Sequence, residues 1–223
     1  MFDDGYFDAL LPRLWKAIGE TLFMVTGSFV FAAILGLGLG LLLYASRPGN
    51  LLQNRVVFGI LNFVINIVRP IPFLILAVAL IPFTRLLFGT ALGPQAVLPA
   101  LTIAAAVAIA RISESNLVAV DPGTIEAGKA MGASPARVLF TIVVPEALGP
   151  LALGFTYIVV ALVDATAVAS VVGGGGLGTL AIQYGYVRFD WFVVLIVVLT
   201  LILLVQVAQF AGNRIARRVM HAD

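Results

Sequence analysis

Cysteine is absent from this 223-residue chain, histidine occurs once, and charged residues make up only 11%. The first absence excludes disulfides and thiolate metal sites. The one histidine, His221, sits in a basic tail. No histidine dyad or His-Glu-x-x-His metal motif is therefore available, and no paired acids stand at helical spacing within the apolar runs. A Gly-x-x-x-x-Gly-Lys-Ser/Thr phosphate loop is also missing, so the chain has no nucleotide hydrolase site of that kind. Charge is scarce as well: so few charged side chains cannot cover a water-soluble globule. The formal net charge of +2 offers no basic surface to nucleic acid.

What the chain has instead is apolar length. It is 61% hydrophobic, with a mean hydropathy of +1.11. Apolar runs cover residues 21–44, 56–83, 95–112, 151–172 and 191–210, several of them beyond the roughly 18 residues that a membrane-crossing helix needs. The pattern predicts an all-α integral membrane protein with five transmembrane helices in one domain over 1–223. The first run is too long for a signal-peptide core, and Met1-Phe2-Asp3-Asp4 is acidic where a signal would be basic, so the run reads as a retained span. The second is interrupted by Arg69-Pro70-Ile71-Pro72, which predicts either one kinked helix or a helix broken partway.

Five crossings put the termini on opposite sides. Arg47, Arg55, Arg111, Lys129, Arg137, Arg214, Arg217 and Arg218 fall on one side, against Arg13, Lys16, Arg85 and Arg188 on the other. Because basic residues are retained in the cytoplasm, this bias predicts an external amino terminus and a cytoplasmic carboxyl terminus. Trp15, Tyr184, Tyr186 and Trp191 then fall near the outer interface, where amphipathic rings are favoured.

Between the third and fourth runs lies a polar island, residues 111–146, whose connecting loop spans 113–147 and is expected in the cytoplasm. Asp121-Pro122 is a helix start, an N-cap side chain followed by a residue whose missing N–H costs nothing at the first helical position. Gly132 is a stop, Ser134-Pro135 is a second start, and Pro145 is expected to end the second helix, 136–144. Two short helices around a Gly-Ala-Ser-Pro turn result. Ala127, Gly128, Ala130, Gly132 and Ala133 leave the first helix and turn with little bulk, a rigid knob suited to docking in another protein's groove.

The spacing Glu126-Ala127-Gly128-x-x-x-Gly132, then nine residues, then Ile142-x-Val144-Pro145 resembles the cytoplasmic EAA loop of bacterial ABC importer membrane subunits. Gly128 stands where that family usually has a second Ala, and Val144 where it has Leu; both keep the position small or apolar. Arg69-Pro70-Ile71-Pro72-Phe73, Ile81-Pro82-Phe83-Thr84-Arg85, Gly173 to Gly178, Gln183-Tyr184-Gly185-Tyr186 and Gln209-Phe210-Ala211-Gly212-Asn213-Arg214 extend the resemblance, making the chain similar to the methionine-importer permeases. The resemblance implies a multi-pass subunit of the bacterial cytoplasmic (inner) membrane. It would act as a homodimer beside two copies of an ABC ATPase, and be supplied by an extracytoplasmic substrate-binding protein. ATP and Mg would belong to the ATPase, with no cofactor and no metal on this chain. The coupling contact would fall on Glu126, Ala127, Gly128, Ala130, Met131, Gly132, Ala133, Ser134 and Pro135, with Glu126 orienting it. The implied cargo is an amino acid, methionine in its L and D forms, with other amino acids or small organic solutes as the alternative. A channel or structural membrane subunit would account for the spans but not for the island.

Other residues carry two readings each. Gly173-Gly174-Gly175-Gly176-Leu177-Gly178 satisfies the Gly-x-Gly-x-x-Gly dinucleotide fingerprint, yet that fingerprint needs a strand before it. A tight external turn that lets the chain re-enter is the better reading. Val168 and Val172, just before it, either close a pore or pack between helices. Asp164 falls mid-span, where a charge costs a few kcal/mol, so it faces protein or water. It either lines the translocation path or is held inside the bundle, with Arg69 as a candidate partner. Gly36-x-Gly38-x-Gly40 is a small-x-x-x-small pattern that marks close helix packing and a candidate dimer face. Asn62 and Asn66, at i and i+4, read as interhelical hydrogen-bonding groups.

Overall fold

The computed structural model describes residues 6–220, which are almost wholly helical and contain no strand among the described residues. The acidic Met1-Phe2-Asp3-Asp4 and His221 lie outside the described residues. In chain order the helices are α1 (Tyr6–Ser46), α2 (Arg55–Val68), α3 (Phe73–Ala79), α4 (Ile81–Phe88), α5 (Pro94–Val118), α6 (Pro122–Ala130), α7 (Pro135–Val138), α8 (Val144–Ala169), α9 (Gly176–Leu180) and α10 (Trp191–Met220). Wider π turns occupy Leu139–Val143 and Ala181–Tyr186, and a tighter 3-10 turn Ser170–Val172. Four helical stretches are long and apolar enough to cross a membrane: Tyr6–Ser46, Pro94–Val118, Pro135–Val172 and Trp191–Met220. The count becomes five if the bent pair α2 and α3 is one span.

Several boundaries differ from those the apolar runs predict, each for an identifiable reason. The first run sits inside a helix of 41 residues, because the charged lead-in is itself helical, with Lys16 and Glu20 3.8 Å apart at i and i+4. The second run is broken rather than kinked, α2 meeting α3 at 101°. Pro70 and Pro72 remove two helical donors within three residues, more than one continuous ladder absorbs. The island's first residues are not loop: α5 continues to Val118, carrying Arg111 and Glu114 on adjacent turns.

Pro145 does not end a helix. The chain runs on from α7 through the π turn at Leu139–Val143 into α8. A proline ring clashes with the carbonyl four residues back, here that of Thr141; the widened turn holds that carbonyl and relieves the clash.

The residues form two compact units, one of Ile71–Ile103, Val159–Ala208 and the described residues up to Val30, the other of Phe31–Pro70, Ala104–Ile158 and the residues from Gln209. In the first, Leu10 and Ala17 of α1 pack with Leu177 and Leu180 of α9 and with Val193 and Val197 of α10. The Tyr6 hydroxyl donates to Asp190 Oδ2 at 2.6 Å, and the Tyr184 ring lies between the Arg13 and Arg188 guanidiniums, 4.7 and 4.5 Å away.

In the second unit, one cluster gathers Tyr44 and Ala45 of α1 with Leu117, Val138, Leu139, Val143 and Ala147 beneath the island. Another packs Leu43, Ile65, Val107 and Ala110. Gly36 and Gly40 face α5 so closely that a Cβ would stand 2.6 Å from the Ala106 carbonyl at the first and 2.5 Å from Ser113 Cβ at the second. The small-residue pattern is therefore used inside the chain, which removes it as a mark of the dimer face.

Candidate functional site

The island folds into a capped knob. Asp121 Oδ1 accepts the Gly123 N–H at 2.9 Å, and Pro122 opens α6. Ser134 Oγ accepts the Arg137 N–H at 3.3 Å, and Pro135 opens α7. Between them α6 ends in a Schellman turn, the Gly132 N–H bonding the Lys129 carbonyl at 2.9 Å and the Ala133 N–H the Gly128 carbonyl at 3.2 Å. This closure needs a left-handed residue, and Gly132 supplies it at φ 78°.

The residues expected to make the coupling contact separate into two groups. Glu126, Ala127, Ala130, Met131, Gly132, Ser134 and Pro135 are exposed, and Met131 is 88% exposed at the tip. Gly128 and Ala133 turn inward. Gly128 is buried under Ile142, whose Cδ1 occupies the space a Cβ would need, and Ala133 packs on the cluster around Val138 and Leu139. Gly128 is thus part of the support of the surface, not of the surface itself. Glu126 makes no side-chain hydrogen bond or ion pair among the described residues. What the knob presents outward is the small Ala127, Ala130 and Gly132, the flexible Met131 thioether, and the charged Glu126 and Lys129.

The same unit carries a recess of about 490 Å³ lined by Arg47, Arg69, Arg111, Glu114, Ser115 and the apolar Ile112 and Val118. Arg111 is its fixed hub. Its Nη2 donates to Asn62 Oδ1 at 2.5 Å and Asn66 Oδ1 at 2.6 Å, and its Nη1 to Glu114 Oε2 at 2.7 Å. Asn62 and Asn66 therefore act as the interhelical hydrogen-bonding pair their spacing predicts. Glu114 Oε1 lies 4.0 Å from Arg47, and its side chain is only 10% exposed. Arg69, one residue past the end of α2, has no ion pair among the described residues.

The glycine run forms a latched turn in the other unit. Gly173, Gly175 and Gly176 have φ of 81°, 83° and 74°, conformations that side chains rarely adopt. The Gly176 N–H donates to Glu20 Oε2 at 2.7 Å, the Leu177 N–H to Thr21 Oγ1 at 2.9 Å, and the Gly93 N–H to the Gly173 carbonyl at 2.8 Å. A helix precedes the run, so the dinucleotide geometry is absent. Asp164 is exposed on α8, on one face with Ala161, Val168 and Val171, and it has no ion pair among the described residues. Val172 is half-buried in the 3-10 turn; Val171, 64% exposed, occupies the Asp164 face in its place.

Sequence reasoning passed over Glu20 and Glu114. Glu114 was within reach of it, standing three residues after Arg111. Besides Lys16, Glu20 binds the Gly176 N–H 156 residues away, and no local spacing announces that partner. Among the described residues no group of three or more acidic or histidine side chains could hold a metal ion.

Residues 34–221 match the family described as "Binding-protein-dependent transport system inner membrane component". The chain is 41% identical to a probable D-methionine transport system permease protein MetI of Vibrio cholerae over 96% of this chain and 93% of that protein. It is also 41% identical to the methionine import system permease protein MetP of Bacillus subtilis over 96% and 97%. Among solved structures it resembles a chain of the MetNI methionine ABC transporter in an inward-facing conformation. The TM-score is 0.91 at 40% identity, over 95% of this chain and 98% of that one. An amino acid ABC transporter shares the fold at a TM-score of 0.80 and 20% identity.

Proposed function

The chain belongs to the binding-protein-dependent transport system inner membrane components, and from that premise we propose that it is the permease of a methionine importer. Two copies would line one translocation path. Each would dock a separate ABC ATPase through the α6–α7 knob and receive cargo from a binding protein on the opposite side of the membrane. The knob faces the cytoplasm, the carboxyl terminus lies on the same side and the amino terminus outside, as the eight-to-four split of basic residues supports. The observation that carries the reading is the knob itself. Its outward face sets small residues, Ala127, Ala130 and Gly132, beside the projecting Met131, and its shape is held by caps at both helix starts and by the Gly132 turn.

Mechanically the reading is alternating access. Closure of the partner ATPases displaces the docked knobs, and the paired permeases shift from an outward-open to an inward-open path. ATP and Mg belong to the partner; this chain supplies the path and the docking face. Arg69, Asp164, Val168 and Val172 are the path residues, and Val171 shares the exposed face of Asp164 and Val168. Methionine as cargo rests on the relatives' described activities.

Reconstitution decides the reading. Proteoliposomes containing this chain, its ATPase and its binding protein should accumulate labelled methionine only with internal or external ATP at the ATPase side, and excess unlabelled methionine should compete best. Preferential competition by another amino acid would replace methionine. Uptake without the ATPase would replace the importer reading with that of a channel.

A further inference from the structure

We propose that the recess of Arg47, Arg69 and Arg111 is a subsite for the carboxylate of the transported amino acid. The inference rests on the importer reading and names the part of the cargo that this unit holds.

The recess has three guanidiniums and one carboxylate, and that carboxylate is already engaged: Oε2 of Glu114 takes the Arg111 hydrogen bond and Oε1 stands 4.0 Å from Arg47. Two positive charges remain uncompensated. Arg111 is spent on fixed partners, two asparagine oxygens and Glu114, which leaves Arg69 as the cation without an acid. Arg69 stands at the break between α2 and α3, where the chain turns by 101°. Its side chain is exposed within the recess and has no acidic partner among the described residues, and a cation in an apolar span is tolerated where it meets water or an anion. Breaks of this kind in transporter helices occur where the backbone lines a binding cavity.

The remaining walls fit the rest of an apolar amino acid. Ile112 and Val118 give the recess an apolar side. At about 490 Å³ the volume falls within the roughly 300–1,000 Å³ typical of small-ligand clefts. A planar guanidinium matches a carboxylate in two parallel hydrogen bonds, which a lysine ammonium does not reproduce.

The test uses the nucleotide-free permease–ATPase complex in nanodiscs, without binding protein, and reads equilibrium binding of radiolabelled methionine. Methioninamide, which lacks the carboxylate, should compete about tenfold more weakly or worse. Arg69→Gln should lose binding by a similar factor, and Arg69→Lys should recover part of it, with complex yield and thermal unfolding unchanged in both. Equal competition by the amide, or wild-type binding in Arg69→Gln, overturns the proposal. Nanodiscs of phosphatidylcholine alone and with phosphatidylglycerol separate the other source of an oxyanion. Binding unaffected by the anionic lipid supports a cargo site, whereas displacement by phosphatidylglycerol that depends on Arg69 makes it a headgroup site and overturns the proposal. Uptake by wild-type proteoliposomes reports on the importer reading separately. If those vesicles take up a different amino acid, that solute and its amide replace methionine in the same assay.

Discussion

Glu20 and Gly176, 156 residues apart, are joined by a 2.7 Å hydrogen bond from the Gly176 N–H to the Glu20 carboxylate. With Thr21 bonding the next N–H, α1 ties the first turn of α9 and with it the left-handed glycines that precede it. A charge-assisted bond of this kind contributes about 1.5–3 kcal/mol. Glu20→Ala should therefore raise amide hydrogen exchange at residues 174–177 by about tenfold or more, and Glu20→Gln, which keeps an acceptor, by less. Unchanged exchange in Glu20→Ala contradicts the latch.

Met131 is the residue through which the knob should be tested. Gly132→Trp attacks the same face but also forces a side chain into φ 78°, confounding lost docking with a lost turn. Met131→Asp leaves the turn intact and puts a charge at its 88%-exposed tip. The permease should still insert and purify, while co-purified ATPase and ATP-dependent uptake fall at least about fivefold, the effect of roughly 1 kcal/mol lost at an interface anchor. Wild-type uptake removes the docking role from the tip.

Gly128 predicts a size threshold. An alanine meets only the end of the Ile142 side chain, which can rotate away, so Gly128→Ala should be close to neutral. Gly128→Leu should cost about 1–3 kcal/mol by overpacking, seen as a lower thermal unfolding temperature of the purified complex.

Asp164→Asn removes the charge and keeps the shape. With Asp164 on an exposed face of α8 and no partner within the chain among the described residues, the substitution should reduce uptake severalfold at unchanged membrane levels. Normal transport assigns the residue no part in the path.

The helices and the island were legible because each rests on local chemistry: long apolar runs, Asp121-Pro122 and Ser134-Pro135 caps, a glycine where a left-handed turn must fall. Pro145 misled because a widened turn is a backbone response that no single residue type announces. Gly36 and Gly40 signalled close packing correctly, but a small-residue pattern does not say which helix arrives, and it was α5. The charged recess was hidden because Arg47, Arg69 and Arg111 lie on three different segments. Its one local clue was the Arg111–Glu114 spacing.

The knob's shape is carried by main-chain bonds, two capping side chains and the packing of Gly128 and Ala133 beneath it, so the exposed positions on its outer face hold nothing in place. Ala127 and Ala130 are exposed helical residues, and the chain contains no cysteine. A thiol introduced at either becomes a unique chemical handle on a rigid mount. A fluorophore or spin label attached there reports the knob's own movement, with no background from elsewhere in the permease.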